Sequence, residues 1–264
     1  MNLFEALLLG LVQGMTEFLP VSSSGHLVLG QALLGIDEPG VTFEIVVHLA
    51  TLCAVLWVYR RRVRDLLGGM AGGKPTAWRY AGLIVLASVP AGVAGVFGRP
   101  LFEEAFGRPL LAAAMLIVTG AIVYSLRFAA ATVRNEEVDA RRGIWVGVAQ
   151  ALAILPGISR SGSTVALGVW MGVGPVRMAE FSFLLSVPAI LGAGLLQLGH
   201  AEEVAALGAV PLTGGFAAAA VSGVFAIRMF VRMLRAGTFH HFAWYCWAVG
   251  SAYLVAALFV PGLR

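Results

Sequence analysis

An acid, three consecutive hydroxyls and an imidazole stand close together in an otherwise apolar stretch near the start of the chain. Ionisable groups are costly where a membrane buries them, so such residues are functional by default. A carboxylate here can bind a metal, transfer a proton or pair with an arginine, and an imidazole is the natural proton carrier near neutral pH. Serines just before a helix can bind an anion, because the first N–H groups of a helix are unpaired. The residues concerned are Glu17, Ser22, Ser23, Ser24 and His26.

A second copy of this pattern lies in the other half of the chain, at an offset of 137 residues. Both copies keep a Ser-x-Ser-Gly core, and the second adds Arg160, a permanent cation whose planar fork suits phosphate oxygens. Helix capping alone would explain the serines, but it explains neither the arginine nor the repetition. The aligned pairs are Gly10 with Gly147, Gln13 with Gln150, Ser22 with Ser159, Ser24 with Ser161 and Gly25 with Gly162.

Composition places the chain among multi-pass membrane proteins. Hydrophobic residues make up 59% of the chain and charged residues 12%, with a mean hydropathy of +0.88, whereas soluble domains average about 25% charged residues. The net charge of +4 is too small and too dispersed to indicate a nucleic-acid partner. Cys53 and Cys246 lie in apolar segments and indicate core residues rather than a disulfide or a metal site. The first apolar segment lacks a basic leader and a cleavage site, so we expect it not to be a removable signal.

The lengths of the apolar segments predict two kinds of membrane element. Crossing the hydrocarbon core takes about 20 helical residues. Residues 3–35 and 143–173 are too long for one span and too short for two, and each is broken near its middle by proline, glycine and serines. We predict that each forms a re-entrant helical hairpin, because irregular backbone at that depth is tolerated only inside protein or a polar cavity. Six stretches have the length of full spans: 42–59, 80–97, 109–127, 178–198, 210–228 and 241–260.

Three full spans separate the two hairpins, so the second hairpin should enter the membrane from the opposite side. The prediction is an all-α integral membrane protein with one domain, 1–264, built from inverted-topology repeats at about 1–130 and 140–264. The positive-inside rule then places both termini on the outer side. The loops and turn that should face the cytoplasm hold 14 of the 18 basic residues, and they are 60–79, 127–142, 174–177 and 228–240.

Further polar residues can support the two serine runs. Gln13 lies one helical turn before Glu17 and can add a carbonyl ligand to a metal or a hydrogen bond. Glu44 and Glu180 are repeat-related acids inside predicted spans, and we expect them to orient the hydroxyls, the arginine or the hairpin backbone. His48 follows Glu44 by one turn, so we expect the two to form a hydrogen bond.

The runs QGMTEFLPVSSSGH at 13–26 and PGISRSGST at 156–164 closely resemble the two signature motifs of the bacterial undecaprenyl-diphosphate phosphatases, the bacitracin-resistance family. The resemblance covers essentially the whole chain. It implies a hydrolase of the bacterial cytoplasmic membrane that removes the terminal phosphate from a C55 isoprenyl diphosphate. The product would be the monophosphate carrier lipid for cell-wall synthesis. The family also implies a divalent cation, Mg²⁺ or Ca²⁺, and a site that opens to the outer face.

The resemblance assigns roles to individual residues. The family's acidic residue falls on Glu17, its histidine on His26, its proposed nucleophile on Ser23 and its phosphate-binding arginine on Arg160. Some members carry glutamate at the position of Gln13, so a metal held by Glu17 and Gln13 would depend more on substrate phosphates. Either the serine attacks and forms a phosphoserine, or water attacks with the histidine as base. The remaining substrate-binding positions would be Ser22, Ser24, Gly25, Ser159, Ser161, Gly162, Ser163 and Thr164.

The residues alone are also compatible with two other classes of function. Inverted repeats with an anion site at the midplane also suit a flippase for the polyprenyl monophosphate, and fold alone does not decide function. A lipid-binding subunit without catalysis is the third reading. The sequence leaves open the prenyl chain length, the physiological metal and the oligomeric state, a homodimer included.

Overall fold

The computed structural model describes residues 1–34, 41–133, 137–196 and 208–263, and every regular element within these ranges is a helix. Short 3-10 turns follow α7 and flank α12. The α-helices in chain order are α1 (Leu3–Phe18), α2 (Ser23–Leu34), α3 (Val41–Val58), α4 (Arg60–Ala71), α5 (Pro75–Phe97), α6 (Arg99–Phe106), α7 (Pro109–Ser125), α8 (Ala140–Leu152), α9 (Arg160–Trp170), α10 (Pro175–Leu196), α11 (Ala209–Arg235) and α12 (Phe242–Phe259).

Five segments of the described chain are long and apolar enough to cross a membrane, which confirms an integral membrane protein. The sixth predicted span, 42–59, corresponds to α3, whose apolar part Ile45–Val58 is shorter than the other five. Short helix pairs, α1–α2 and α8–α9, occupy the two regions that the sequence predicts to be hairpins. The five candidate spans are Pro75–Phe97, Pro109–Ala129, Pro175–Leu195, Ala209–Arg235 and Phe239–Phe259.

Both short pairs are interrupted where the sequence carries its helix breakers. Pro20 lies between α1 and α2, and a proline has no N–H to continue a helix. Gly157 lies between α8 and α9 with a φ of +93°, which is favourable for glycine but not for other residues. A Cβ at Gly157 would also lie 2.1 Å from the carbonyl oxygen of Ala112, so the turn packs against α7 with no room for a side chain.

The first helix of each pair packs tightly on a helix from the other half of the chain. A Cβ added at Gly10 of α1 would lie 2.3 Å from the carbonyl oxygen of Gly215 on α11. A Cβ added at Gly147 of α8 would lie at the same distance, 2.3 Å, from the carbonyl oxygen of Ala87 on α5. These two glycines are aligned by the 137-residue offset, so aligned positions make equivalent close approaches between backbones.

The turn of one pair touches the turn of the other. A Cβ at Gly25 would meet the backbone of Gly157 at 2.8 Å, and a Cβ at Gly162 would meet Pro20 at 3.1 Å. The Ser161 hydroxyl also donates to the carbonyl of Leu19 at 3.3 Å. Gly25 aligns with Gly162 and Pro20 with Gly157, so the contacts are reciprocal. The fold therefore brings both serine runs to one place in the interior.

Candidate active site

The carboxylate of Glu17, on the last turn of α1, is the centre of the polar cluster. Arg160, the first residue of α9, donates from Nη2 to Glu17 Oε1 at 2.5 Å. Ser23 Oγ and Gln13 Nε2 donate to Glu17 Oε2 at 2.9 and 3.1 Å. The side chains of Glu17 and Arg160 are 8% and 16% exposed, so this ion pair is largely shielded from solvent. The acid of one motif and the arginine of the other therefore form one site, as the sequence predicts.

Two serines cap the helices that converge on this site, and they do so in the same way. Ser22 Oγ accepts from the N–H of Gly25 at 3.2 Å, and Ser159 Oγ accepts from the N–H of Gly162 at 3.1 Å. Each capping hydroxyl also contacts the hydroxyl two residues later, at 3.3 and 3.2 Å. The start of a helix carries partial positive charge and favours an anion. Two such starts beside an arginine suit a doubly charged phosphate group.

The backbone of Ser22 is strained. Its φ is +64°, a left-handed conformation that non-glycine residues rarely adopt, and the residue is 4% exposed. Such conformations cost of order 1–3 kcal/mol and persist where the surrounding structure requires them, often at active sites. Here the strained residue lies directly before Ser23, whose hydroxyl contacts Glu17.

A cavity of about 770 Å³ joins the polar cluster to an apolar region between α3, α5 and α10. Its polar wall carries the ion pair and four of the serines. Its apolar wall contains small and aliphatic residues, so one end suits an anion and the other a hydrocarbon. The lining includes Glu17, Ser22, Ser23, Ser24, Ser159 and Arg160 on the polar side, and Ile45, Leu49, Ala91, Gly92, Gly95, Val96, Ile190, Gly192 and Leu195 on the apolar side.

Three buried side chains near the motifs have polar atoms without a hydrogen-bond partner in the described part of the chain. They are the second terminal nitrogen of Arg160, the hydroxyl of Ser163 and the whole amide of Gln150. Buried polar groups are normally paired, so each exception needs a physical explanation. Arg160 and Gln150 are both among the described residues that line the cavity.

The sequence predicts that His26 shares a pocket with the serines, but the structure places it elsewhere. Its Nδ1 lies 2.8 Å from the carbonyl oxygen of Ser22, and its Nε2 lies 2.8 Å from the hydroxyl of Tyr245 on α12, with the two rings stacked 5.5 Å apart. The imidazole is absent from the described residues that line the cavity. In this arrangement His26 holds the strained turn at Ser22 against α12, and its catalytic role stays a prediction.

His48, rather than His26, reaches the polar cluster, and its spacing in the sequence does not predict this contact. Its Nε2 lies 3.2 Å from Gln13 Nε2 and 3.7 Å from Glu17 Oε2, and the residue lines the cavity. The available signal was an imidazole within an apolar span, but the spacing from Glu44 indicated a local hydrogen bond instead. The Glu44 side chain lies outside the described residues.

The prediction that Glu180 supports the site is wrong in its placement. Glu180 pairs with Arg62 at 2.9 Å, and the guanidinium of Arg62 lies over the ring of Tyr80, 4.5 Å from its centroid. The carboxylate of Glu180 is one-third exposed, and its partner lies in the run of arginines that begins α4. This ion pair is therefore not part of the polar cluster.

The predicted substrate-binding residues divide into two groups. Ser22, Ser24 and Ser159 line the cavity. Thr164 instead lies with its hydroxyl 2.6 Å from that of Ser182 and donates to the carbonyl of Arg160 at 2.8 Å, which fixes the first turn of α9. The others hold the turns together or lie behind them and are not among the described lining residues: Gly25, Ser161, Gly162 and Ser163.

The donor set around Glu17 is small for a metal site. No group of three His, Cys, Asp or Glu side chains with metal-binding geometry occurs within the described ranges. Both carboxylate oxygens of Glu17 already accept hydrogen bonds, and the Gln13 amide nitrogen points at Glu17, which leaves the amide oxygen for a cation. Mg²⁺ and Ca²⁺ take six or more oxygen ligands. These residues therefore fit a divalent cation only if a ligand such as a diphosphate supplies most of the oxygens.

Comparison with known proteins agrees with this geometry. The family described as "Bacitracin resistance protein BacA" matches residues 6–252. The chain belongs to this family. Proteins named undecaprenyl-diphosphatase are similar over nearly their whole length. The relative from Desulfatibacillum aliphaticivorans is 40% identical over 277 residues, covering 97% of this chain and 99% of the relative. Those from Salinibacter ruber and Carboxydothermus hydrogenoformans are each 40% identical, covering 95% and 97% of this chain and 98% and 97% of the relatives.

Proposed function

We propose that this protein is an undecaprenyl-diphosphatase, a membrane hydrolase that removes the terminal phosphate from a C55 prenyl diphosphate. The observation that carries the proposal is one cavity with a Glu17–Ser23–Arg160 cluster at one end and an apolar wall at the other. A prenyl diphosphate has the same division into a charged head and a hydrocarbon tail. The names of the family relatives support the phosphatase over the flippase and the lipid-binding subunit.

The direct test is an assay of phosphate release. Purified protein in detergent, given undecaprenyl diphosphate and Mg²⁺, should release one phosphate per lipid, and the lipid product should be the monophosphate. A preparation that moves prenyl phosphate across liposomes but releases no phosphate would instead be a carrier, and the proposal would fail.

Ser23 and Glu17 form the arrangement expected of a nucleophile and its base. Ser23 Oγ already donates to Glu17 at 2.9 Å, and the base is held by Arg160 and Gln13. In the proposed step, Ser23 Oγ attacks the terminal phosphorus while its proton passes to Glu17. The bond to the bridging oxygen breaks, and the lipid monophosphate leaves. Water then attacks the phosphorus of the phosphoserine, and the bond from phosphorus to Ser23 Oγ breaks. One proton of the water passes to Ser23 Oγ, and inorganic phosphate leaves with the other and with the proton that Glu17 accepted, which returns the enzyme to its starting state.

Arg160 and the starts of α2 and α9 bind the negative head group. Phosphoryl transfer depends mainly on positioning and on offsetting charge at the transferred group, which these groups provide. We propose that Mg²⁺ or Ca²⁺ binds with the diphosphate beside Glu17 and Gln13, where its chemistry would be to neutralise phosphate charge. The remaining contacts of the head group come from side chains and helix N–H groups of this chain.

We also propose that α1–α2 and α8–α9 are re-entrant hairpins in an inverted-topology repeat, with α3 as a sixth span. The reciprocal contacts of Gly25 with Gly157 and of Gly162 with Pro20 support this, as do the aligned glycine contacts of α1 and α8. The basic loops favour a site that opens to the outer face of the cytoplasmic membrane, with both termini outside.

The apolar wall of the cavity is where the prenyl tail should lie. Gly92 and Gly95 on α5 line the cavity, and a Cβ at either would have no atom within 4 Å. The Cβ position of residue 95 is therefore unobstructed, and we expect a leucine there to occupy part of the space for the tail. Displacing about two buried methylenes of the tail, at about 0.8 kcal/mol each, should raise KM for the C55 substrate roughly tenfold.

The matched control for Gly95→Leu is Gly82→Leu on the same helix. Gly82 also has nothing within 4 Å of a Cβ, but it is not among the described lining residues. We expect KM to stay within about twofold of wild type there, and we expect a C15 diphosphate to be hydrolysed equally well by both variants. Equal C55 kinetics in Gly95→Leu and Gly82→Leu would place the tail elsewhere.

A further inference from the structure

Gln150 on α8 belongs to the cavity wall, and its buried amide has no hydrogen-bond partner in the described chain. The residue is 3% exposed, it lines the cavity, and neither Nε2 nor Oε1 has a hydrogen-bond partner. Leaving an amide unpaired in an apolar interior costs free energy, so a glutamine with no ligand at this place would destabilise the fold. The described part of the chain provides no partner for this amide, so a bound ligand is a candidate partner.

The repeat explains why this amide is unpaired. Gln13, the aligned residue in the first copy, donates to Glu17 one turn later on the same helix, at 3.1 Å. The residue one turn after Gln150 is Ile154, which also lines the cavity and has no polar group to offer. The two copies therefore carry aligned amides, but the first is satisfied within its own helix, whereas the second is unpaired and belongs to the cavity wall.

We propose that Gln150 binds the diphosphate head group directly, with Nε2 donating a hydrogen bond to a phosphate oxygen. This inference rests on the proposed function and adds a substrate contact on α8, outside the serine–arginine segment. The second terminal nitrogen of Arg160, a residue of the same cavity wall, is likewise unpaired in the described chain. The Gln150 amide and the Arg160 guanidinium are both hydrogen-bond donors, and a diphosphate has several acceptor oxygens. These oxygens would lie close to the guanidinium and to the starts of α2 and α9.

The proposal predicts a loss of affinity without a loss of stability. Replacing Gln150 with leucine removes a hydrogen bond to a charged group, so KM for undecaprenyl diphosphate and the inhibition constant of inorganic pyrophosphate should each rise about tenfold. If the hydrogen bond from Gln150 is equally strong in the ground state and in the transition state, kcat should stay within about threefold of wild type. The melting temperature in detergent without ligand should be unchanged or higher, because the leucine has no unpaired amide to bury.

Two further variants separate this role from others. Gln150→Glu keeps the size but replaces the donor with a negative charge, so it should weaken pyrophosphate inhibition more than leucine does. Gln31→Leu is the matched control, because Gln31 lies on α2 and is not among the described residues that line the cavity. Its kinetics should stay within about twofold of wild type.

The contradicting outcomes are distinct. A lower melting temperature for Gln150→Leu with an unchanged inhibition constant would show a structural amide, satisfied by water or by a shift of the chain. An unchanged inhibition constant with unchanged stability would also overturn the head-group contact. Phosphate release by the wild-type protein in the same preparation tests the proposed function separately, so the two failures are not confused.

Discussion

Arg160→Ala should lower kcat/KM for undecaprenyl diphosphate by at least about 10³-fold. The guanidinium is the cation whose position in the cavity is fixed by Glu17 and the start of α9. An arginine that offsets charge on a transferring phosphoryl group is worth about 10³–10⁵-fold in rate. The change also leaves the Glu17 carboxylate buried without its cation, which is costly in a shielded site. Initial rates of phosphate release, taken over a range of substrate concentrations, measure the effect.

Two arginine controls make this result specific. Arg160→Lys keeps the positive charge but loses the planar fork, so it should recover part of the lost rate and no more. Arg108→Ala removes an arginine from an exposed pair with Glu104 and should leave the rate within about twofold of wild type. Thermal unfolding of each variant in detergent shows whether lost activity reflects lost structure. Near-wild-type turnover by a folded Arg160→Ala protein would remove the arginine from the mechanism.

The two motif turns could be predicted because their sequence signals are local. Proline or glycine fixes each break, serine at the N-cap starts the following helix, and the 137-residue offset indicates that both turns have the same design. The convergence of the turns followed from repetition and from the charges that each turn carries. For this reason the Glu17–Arg160 pair was predictable, although 143 residues separate its members.

The errors concern side chains whose partners are distant in sequence and lack any repeat signal. His26 turns toward Tyr245, which follows it by 219 residues, and His48 reaches Gln13 on another helix. Glu180 on α10 pairs with Arg62 on α4, which precedes it by more than 100 residues. In each case helix packing decided which polar group a side chain could reach. Spacing within one segment holds no information about that choice.

The unpaired amide of Gln150 illustrates a limit of the same kind. Its alignment with Gln13 was visible in the sequence, but the alignment did not indicate a role for Gln150. The structure shows that the two amides differ: Gln150 is buried, it belongs to the cavity wall, and the residue one turn later is the apolar Ile154. The two repeats therefore contribute different groups to the site. The first supplies the acid, and the second supplies the arginine and the unpaired amide.

Ser23→Ala should lower the rate of phosphate release by at least about 10³-fold and should abolish a covalent phosphoenzyme. Among the described serines that line the cavity, Ser23 is the one whose hydroxyl donates to Glu17, at 2.9 Å, as a nucleophile does to its base. Removing the nucleophile stops the covalent route. The remaining rate acceleration then comes only from substrate binding and from the stabilisation of the transition state by the arginine. Rapid acid quench with a terminally labelled diphosphate, followed by mass spectrometry of the peptide containing residue 23, detects the phosphoserine.

Ser24→Ala is the control that separates attack from binding, since Ser24 also lines the cavity but its hydroxyl contacts Ser22 rather than the acid. Its loss should cost no more than about tenfold, the value of one hydrogen bond to a charged group, and the phosphoenzyme should still form. If Ser23→Ala and Ser24→Ala lose similar activity and neither they nor the wild type traps label, water attacks directly. In that case Glu17 is the nearest base, because His26 is engaged with Ser22 and Tyr245, and a Glu17→Gln variant would lose the rate that Ser23→Ala retains.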